Sequence, residues 1–214
     1  MTWEPELEEL RQRQALAREM GGPDKIARQR AAGRLTVRER IGALLDSGSF
    51  HEIGSITGNG TYDETGALQS MTPTNFLFGR GLIEGRRVVV AGDDFTVRGG
   101  ASDASIIEKQ VAAEQMAHEL RLPMIRLIEG SGGGGSVKSL EAMGYTYVPF
   151  LPGFDHMVRN LATVPVVSLG LGPIAGFGAA KVVQSHYSLL VRGQSQMFVA
   201  GPPVVAAAGQ KLTK

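Results

Sequence analysis

The chain contains no cysteine among its 214 residues. That absence excludes disulfide frameworks, cysteine-ligated zinc, iron–sulfur clusters and a thiol nucleophile. It is typical of a reducing compartment, and we expect a cytoplasmic protein. The sequence also has no apolar run near the ~20 residues that a membrane span requires. Its first residues carry several acids, unlike a secretory signal or a transit peptide.

Charge of either sign is not in excess. The chain has 22 Lys and Arg against 21 Asp and Glu, a net charge of +1. Because basic and acidic residues are nearly equal in number, the protein has no large positive charge that would attract nucleic acid or an anionic membrane. We therefore expect neither as a partner. Aromatic residues make up only 6% of the chain, whereas the hydrophobic share of 43% is ordinary for a globular protein.

Glycine is the residue that the chain has in excess. It accounts for 29 of the 214 positions, roughly twice its average usage. These glycines occur in clusters and not in an even spread. They therefore favour tight turns and exposed backbone amides over a flexible linker.

The sequence divides into residues 1–47, predicted to be a helical arm, and residues 48–214, predicted to be one α/β domain. The arm pattern predicts one helix over residues 4–19, a second capped by Asp24, and a third. Thr36 and Glu39 have the spacing of a capping box that starts the third helix. The arm has few large apolar side chains, so we expect it to pack on something else, such as a partner subunit.

The second part alternates between apolar strands and helices. Continuous apolar strands flanked by helices favour a mostly parallel sheet covered on both faces. The pair Glu84-Gly85 predicts a hairpin turn, and the Gly-, Thr- and Asn-rich residues 58–75 predict a loop. The strands are expected at 50–56, 75–83, 86–91, 123–128, 164–171, 187–192 and 196–200, and the helices at 103–121, 137–143, 153–162 and 179–185.

Two of the buried strands run into glycine-rich segments, residues 129–135 and 172–178, which we expect to be loops. In α/β sheets, ligands bind at the carboxyl ends of the strands, so both segments can face one site. Glycine-rich turns leave N–H groups uncovered, and such groups can cradle a phosphate or polarise a carbonyl oxygen. The alternative is a purely structural role, in which the glycines only permit tight turns.

Two phosphate-binding motifs fit the first segment poorly. Residues 130–135 formally match the dinucleotide pattern G-x-G-x-x-G, but Gly144 interrupts the long helix that this fingerprint needs. Lys138 follows Val137 and not a glycine, so the P-loop signature fails as well. An oxyanion hole made of backbone amides from both segments is the remaining chemical interpretation.

Side-chain chemistry is sparse elsewhere. The four histidines have no metal-ligand spacing, and Asp93-Asp94 fits a strand-end turn better than a metal site. Ser131 does not lie in a nucleophile elbow, because Glu129 stands where the first glycine of G-x-S-x-G belongs. We therefore expect no metal.

Six segments in chain order resemble the carboxyltransferase (β) subunit of biotin-dependent acyl-CoA carboxylases, the propionyl-CoA and methylcrotonoyl-CoA carboxylase group. Each motif is weak alone, but six in order over residues 33–209 are specific. The segments are GRLTVRERI with LLDSGSF (33–41, 44–50), GRG with IEGR (79–81, 83–86), DFTV with GG (94–97, 99–100), SGG (131–133), GP with AG (172–173, 175–176) and FVAGPPVV (198–205).

The resemblance implies a crotonase-like fold of repeated β-β-α units. It implies transfer of CO2 from carboxybiotin to an acyl-CoA through an enolate, with the biotin attached to a separate carrier. The implied partners are biotin carboxylase and other β subunits, which assemble as hexamers in this family. It implies that this chain is the N-terminal half, which alone would bind CoA esters and be inactive. By position it assigns catalytic amides to Gly132, Gly133, Gly134, Gly176 and Phe177, and acyl-CoA contacts to Arg98, Gly99, Gly100 and Ser131.

The chain departs from the family pattern at both glycine-rich segments. Gly130 replaces the family's Asp, Gly134-Gly135 replaces its Ala-Arg, and Phe177 replaces a glycine, where its side chain is expected to intrude on open space. A backbone amide survives a change of side chain, so the site can persist. Two other functions stay open: a biotin-independent crotonase-fold enzyme acting on acyl-CoA, and a non-catalytic assembly subunit, which Phe177 favours.

Overall fold

A computed structural model describes residues 2–101, 106–132 and 153–199, with the isolated positions 141, 144, 205, 206 and 209. The predicted helix at 137–143 lies, apart from one position, outside the described residues. The helices are α1 (Glu4–Arg18), α2 (Pro23–Ala31), α3 (Val37–Leu44), α4 (Ile107–Leu120), α5 (Phe154–Thr163) and α6 (Phe177–Val183), with a 3₁₀ turn at Arg98–Gly100.

The arm consists of α1, α2 and α3, as the sequence predicts. The capping box is confirmed: the Thr36 hydroxyl accepts a hydrogen bond from the Glu39 amide, and the Glu39 carboxylate accepts one from the Thr36 amide. The prediction that Asp24 caps α2 is wrong, because Gly22 takes the cap position and Asp24 lies in the first turn. Pro23 opens α2 because its fixed φ suits the first helical position.

The strands are β1 (His51–Ile53), β2 (Gly58–Tyr62), β3 (Leu68–Pro73), β4 (Phe76–Ile83), β5 (Arg86–Asp93), β6 (Met124–Gly132), β7 (Val166–Gly176), β8 (Tyr187–Leu190) and β9 (Gln196–Phe198). The prediction of a loop at 58–75 is wrong, because β2 and β3 form an antiparallel hairpin there. Glu84 and Gly85 both have positive φ, which confirms the predicted hairpin turn between β4 and β5.

Seven strands form one mixed sheet in the order β1-β4-β5-β6-β7-β8, with β9 pairing with a further part of β7. β1, β4 and β5 are antiparallel neighbours, whereas β5 through β8 run parallel. The expected mostly parallel sheet therefore holds for one side only. The antiparallel pair β4 and β5 is joined by a short turn, whereas parallel neighbours need longer crossovers such as α4 and α5.

The expectation that both glycine-rich segments are loops is wrong for the residues described. β6 continues through Gly132 and β7 through Gly176, because each pairs with the other in a parallel ladder. α6 then begins directly at Phe177. The glycines up to these points are strand residues that leave backbone surface bare.

The sheet is covered on both faces, as predicted. Alternate strand residues point to opposite faces, so Phe76 and Phe78 join one apolar cluster while Leu77 joins the other. The first cluster includes Ala113 and Ala117 of α4. The second includes three residues of the arm and its exit: Val37, Ile41 and Leu45. The expectation that the arm packs elsewhere is thus wrong for α3, which packs on the sheet of its own chain.

None of the helices within the described ranges is long and apolar enough to cross a membrane.

A buried ion pair joins α4 to β6. The Arg126 guanidinium donates to both Glu114 carboxylate oxygens, at 2.7 and 2.9 Å, and Asn160 of α5 donates to the same carboxylate at 3.0 Å. All three residues are buried. Such a group resists loss of one member, since the remaining charge would stay buried without a counter-charge.

We expect Glu114→Ala to lower the free energy of unfolding by about 3–5 kcal/mol, because it strands the buried Arg126 charge. Glu119→Ala removes an exposed carboxylate from the same helix and should change stability by less than about 0.5 kcal/mol. Urea unfolding followed by circular dichroism measures both. Equal effects of the two substitutions would contradict this account.

A second pair of charges consists of Asp93, at the end of β5, and Lys181 of α6. Although Asp93 as a whole residue is only partly buried, its carboxyl group lies inside the protein, and this burial raises its pKa to about 6 against the opposing charge of Lys181. The Lys181 side chain is buried, and that burial lowers its pKa, against the opposing carboxylate of Asp93. The folded protein therefore holds the Asp93 proton more tightly than the unfolded chain does.

Stability should consequently fall as the pH rises from about 4, the ordinary carboxyl pKa, to about 6. Over this range the folded protein still binds the Asp93 proton that the unfolded chain has already released. We expect Asp93→Asn to remove this part of the pH dependence. Asp155→Asn, at a carboxylate whose side chain is 65% exposed, should leave it unchanged. Urea midpoints across that pH range measure the slope, and a slope as steep in Asp93→Asn as in the wild type would count against the assignment.

Candidate functional site

The carboxyl ends of β6 and β7 lie side by side and bring two glycines together. Ser131 pairs with Ala175, and Gly132 pairs with Gly176. Two of the predicted catalytic residues, Gly132 and Gly176, are thus direct neighbours across the ladder. Gly133 and Gly134, the other two glycines predicted to donate amides, lie outside the described residues.

The 3₁₀ turn at Arg98–Gly100 packs against the end of β6. Gly99 and Gly100 have positive φ of 63° and 67°. A Cβ on Gly100 would lie 2.6 Å from the Glu129 carbonyl oxygen and 2.8 Å from the Gly130 Cα, so only glycine permits this approach. Gly100, one of the residues predicted to contact acyl-CoA, therefore lies against Gly130, two residues before the predicted amide donor Gly132.

The turn from β7 into α6 gives Gly176 and Phe177 different roles. Gly176 has φ 59° and ψ −124°, a conformation that side chains disfavour. Its N–H donates to the Val199 carbonyl at 3.2 Å. Phe177 occupies the first helical position, where a backbone N–H has no acceptor within the helix. Of these two predicted donors, Gly176 thus has its N–H bonded within the chain, whereas α6 offers the Phe177 N–H no acceptor.

The Phe177 ring packs toward the sheet. Its centroid lies 5.0 Å from the Lys181 ammonium, which also lies 5.5 Å from the Phe76 ring and donates to the Gln110 side chain at 3.0 Å. Lys181 is buried and contacts both rings. The Phe177 side chain is therefore held by a cation–π contact on the inner side of α6.

A buried carboxylate, missed in the sequence, stands just before the paired glycines. Glu129 is 0% exposed and forms ion pairs with Arg40 at 2.6 Å and Arg34 at 3.0 Å. The Gln29 amide donates to it at 2.9 Å, and the Glu129 backbone N–H donates to the Asp93 carboxylate at 3.3 Å. Burial raises the pKa of Glu129, and the two guanidinium groups oppose that rise.

A sequence signal for this cluster exists in α3. Arg40 follows Val37 by three residues and precedes Ile41, so it lies on the apolar face of the helix. An arginine on such a face needs a buried partner. Glu129, a charge at the end of an apolar strand, is a candidate partner, although spacing alone does not connect the two.

The site as described offers backbone donors and few reactive side chains. In the part of the chain that the structure covers, no group of three or more His, Asp or Glu residues is arranged to hold a metal ion. Amide N–H groups at adjoining strand ends can polarise a carbonyl oxygen and stabilise negative charge that develops on it.

Comparison with known proteins places the chain in a family. Residues 28–213 match the family model described as "Carboxyl transferase domain". The chain is 34% identical over 200 residues to the propionyl-CoA carboxylase beta chain of Roseobacter denitrificans, covering 93% of this chain and 38% of the relative. It is 31% identical over 219 residues to the propionyl-CoA carboxylase carboxyltransferase subunit of Haloferax mediterranei, covering 100% of this chain and 40% of that subunit.

Among solved structures, transcarboxylase 12S superposes with a TM-score of 0.76 at 26% identity, over 100% of this chain and 41% of that chain. This likeness confirms the crotonase-like fold. The chain spans about 40% of the length of these relatives. The family match covers most of the sequence, including both strands that meet at Gly132 and Gly176, and the chain belongs to the carboxyl transferase domain family.

Proposed function

We propose that this chain is the acyl-CoA-binding half of a carboxyltransferase, the component of biotin-dependent acyl-CoA carboxylases that moves CO2 from carboxybiotin to an acyl-CoA. The observation that carries the proposal is the meeting of β6 and β7 at Gly132 and Gly176, directly before the Phe177 amide. The family match supports it independently.

The reaction needs what these strand ends offer. Removing a proton beside a thioester carbonyl builds negative charge on the carbonyl oxygen. A backbone N–H aimed at that oxygen stabilises the charge by ~3 kcal/mol, because it is already oriented and shielded from water. No side-chain nucleophile is required for this stabilisation.

Each predicted residue receives a role in the proposal. The Phe177 N–H and amides at Gly132, Gly133 and Gly134 would bind the thioester oxygen. Gly176 would form the turn that presents Phe177, since its own N–H bonds to Val199. Ser131 and the turn at Arg98–Gly100 would line the path of the CoA moiety, because that turn packs on β6.

We assign no biotin contacts to the described residues. When bound to its carrier, carboxybiotin would supply the CO2, and the family resemblance assigns its contacts to a second half of the longer relatives. A carrier subunit, biotin carboxylase and other β subunits are the proposed partners, in the cytoplasm. Transcarboxylase 12S assembles as a hexamer, and we propose hexameric assembly for the complete enzyme.

Phe177 does not favour a purely structural subunit. Its ring packs on Lys181 at 5.0 Å, toward the sheet. The substitution therefore fills space on the inner side of α6 and leaves the backbone N–H at the start of that helix.

We expect the chain to bind an acyl-CoA more tightly than free CoA, because free CoA lacks the thioester carbonyl oxygen that the amides would bind. Calorimetric titration with acetyl-, propionyl- and methylcrotonoyl-CoA tests this, with free CoA as the control. The ester bound most tightly identifies the acyl pocket. Equal affinity for free CoA and all three esters would refute the proposed carbonyl site.

Phe177→Pro should weaken binding of the preferred acyl-CoA by about 3–10-fold, the value of one net hydrogen bond. Proline removes the N–H but suits the first position of a helix, so α6 should persist. Phe177→Ala removes the same ring and keeps the N–H. We expect it to retain the preference for acyl-CoA over free CoA.

Calorimetry on both variants separates the amide from the ring. A loss of preference in Phe177→Ala as large as in Phe177→Pro would show that the ring, and not the N–H, is responsible.

A further inference from the structure

The ladder between β6 and β7 is irregular just before the site. Ile128 pairs with Gly170, but Gly130 pairs with Ile174. Glu129 alone therefore stands opposite residues 171–173 of β7. The paired glycines Gly132 and Gly176 follow directly after this irregularity, so whatever fixes it also fixes how the two strand ends align.

The Glu129 side chain fills the irregular stretch. A Cβ on Gly172 would collide with the Glu129 carboxylate. Gly172 is buried and is not among the glycines with positive φ, so the constraint here is space and not backbone conformation. The carboxylate thus lies directly against the β7 backbone.

Arg40 contacts both strands from α3. One of its terminal nitrogens lies 2.6 Å from a Glu129 carboxylate oxygen, and the other donates to the Leu171 carbonyl at 3.1 Å. Leu171 belongs to the stretch opposite Glu129. A planar guanidinium can hold two acceptors at a fixed separation, which an ammonium group cannot do as well.

Two further partners hold Glu129 from the arm, and neither is bonded to β7 among the hydrogen bonds and ion pairs described. Arg34 lies 3.0 Å from the carboxylate, and Gln29 donates to it at 2.9 Å. Loss of Arg40 would therefore leave Glu129 with one positive partner and one amide donor. The Leu171 carbonyl would lose the hydrogen bond that Arg40 donates to it.

We propose that Arg40 is a positioning residue, which acts through Glu129 and the Leu171 carbonyl to set the alignment of the β6 and β7 ends and hence the amides at Gly132 and Phe177. This deepens the proposed function and rests on it for the identity of the ligand. The arm would thus be part of the site's framework, although none of its residues needs to touch the substrate.

Arg40→Met tests the proposal against Arg38→Met. Arg38 lies on the same helix and is also ion-paired, to Glu52 at 2.8 Å, but has no contact with either strand end among the hydrogen bonds and ion pairs described. Both variants lose a paired arginine and keep an unbranched side chain. Any effect of losing an arginine from α3 in general appears in both.

Hydrogen exchange followed by mass spectrometry reports the alignment directly. In Arg40→Met we expect peptides covering 124–132 and 166–177 to exchange at least roughly tenfold faster than in the wild type, with peptides covering 86–93 unchanged. In Arg38→Met all three should match the wild type. Faster exchange everywhere in Arg40→Met would indicate general loosening and would overturn the proposal.

Ligand discrimination provides the functional measurement. The ratio of the Kd for free CoA to the Kd for the preferred acyl-CoA should fall about 3–10-fold in Arg40→Met, while the Kd for free CoA stays within about twofold. A purely structural role would weaken both ligands together. An unchanged ratio beside faster exchange of the strand ends would also overturn the proposal.

Gly172→Ala gives a second route that removes no charge. The added methyl group would push on the Glu129 carboxylate, and we expect the same two peptides and the same ratio to change as in Arg40→Met. This variant decides the question if Arg40→Met fails to fold. A wild type that does not distinguish acyl-CoA from free CoA would refute the proposed function, whereas the exchange data would still decide whether Arg40 aligns the strands.

Discussion

The burial of one carboxylate, Glu129, connects three parts of this chain that are distant in sequence. Its oxygens are held by Arg34, Arg40 and Gln29 of the arm, and its side chain lies against the β7 backbone. A buried charge is tolerated only when its partners are in place, so the arm, β6 and β7 must be assembled together. The candidate site begins just beyond this carboxylate, and its geometry therefore depends on that assembly.

Bare backbone is the second constraint. Gly100 and Gly130 approach so closely that a side chain on either would collide with the other's backbone, and this contact places the turn at Arg98–Gly100 beside the end of β6. The glycines of this region thus serve two ends: some allow segments to approach, and others, such as Gly176, allow a turn that presents an amide. A carbonyl-binding site made of amides needs both, because donors must converge from separate segments onto one atom.

Local rules predict much of the fold and little of the site's support. The capping box of α3 and the turn at Glu84-Gly85 follow from residues a few positions apart, so the sequence predicts them correctly. Residues 58–75 and the two glycine-rich segments resemble loops in sequence because glycine disfavours isolated strands, but pairing with a neighbouring strand outweighs that preference. The contact between Gln29 and Glu129 spans 100 residues, and no local spacing encodes it.

The carboxyl group of Asp93 accepts the Glu129 N–H and lies in the field of Lys181, which in turn holds the Phe177 ring. The charges of Asp93 and Lys181 therefore interact with each other beside the ends of β6 and β7. Loss of either charge changes the electrostatic potential at the other. Evolution of these charges is constrained: replacing Asp93 alone leaves the buried Lys181 with Glu114 as an opposing carboxylate, whereas replacing both Asp93 and Lys181 with apolar side chains is close to neutral. We expect related chains to change these two charges together more often than separately, and the residue that follows Gly176 to vary with the residue at position 181.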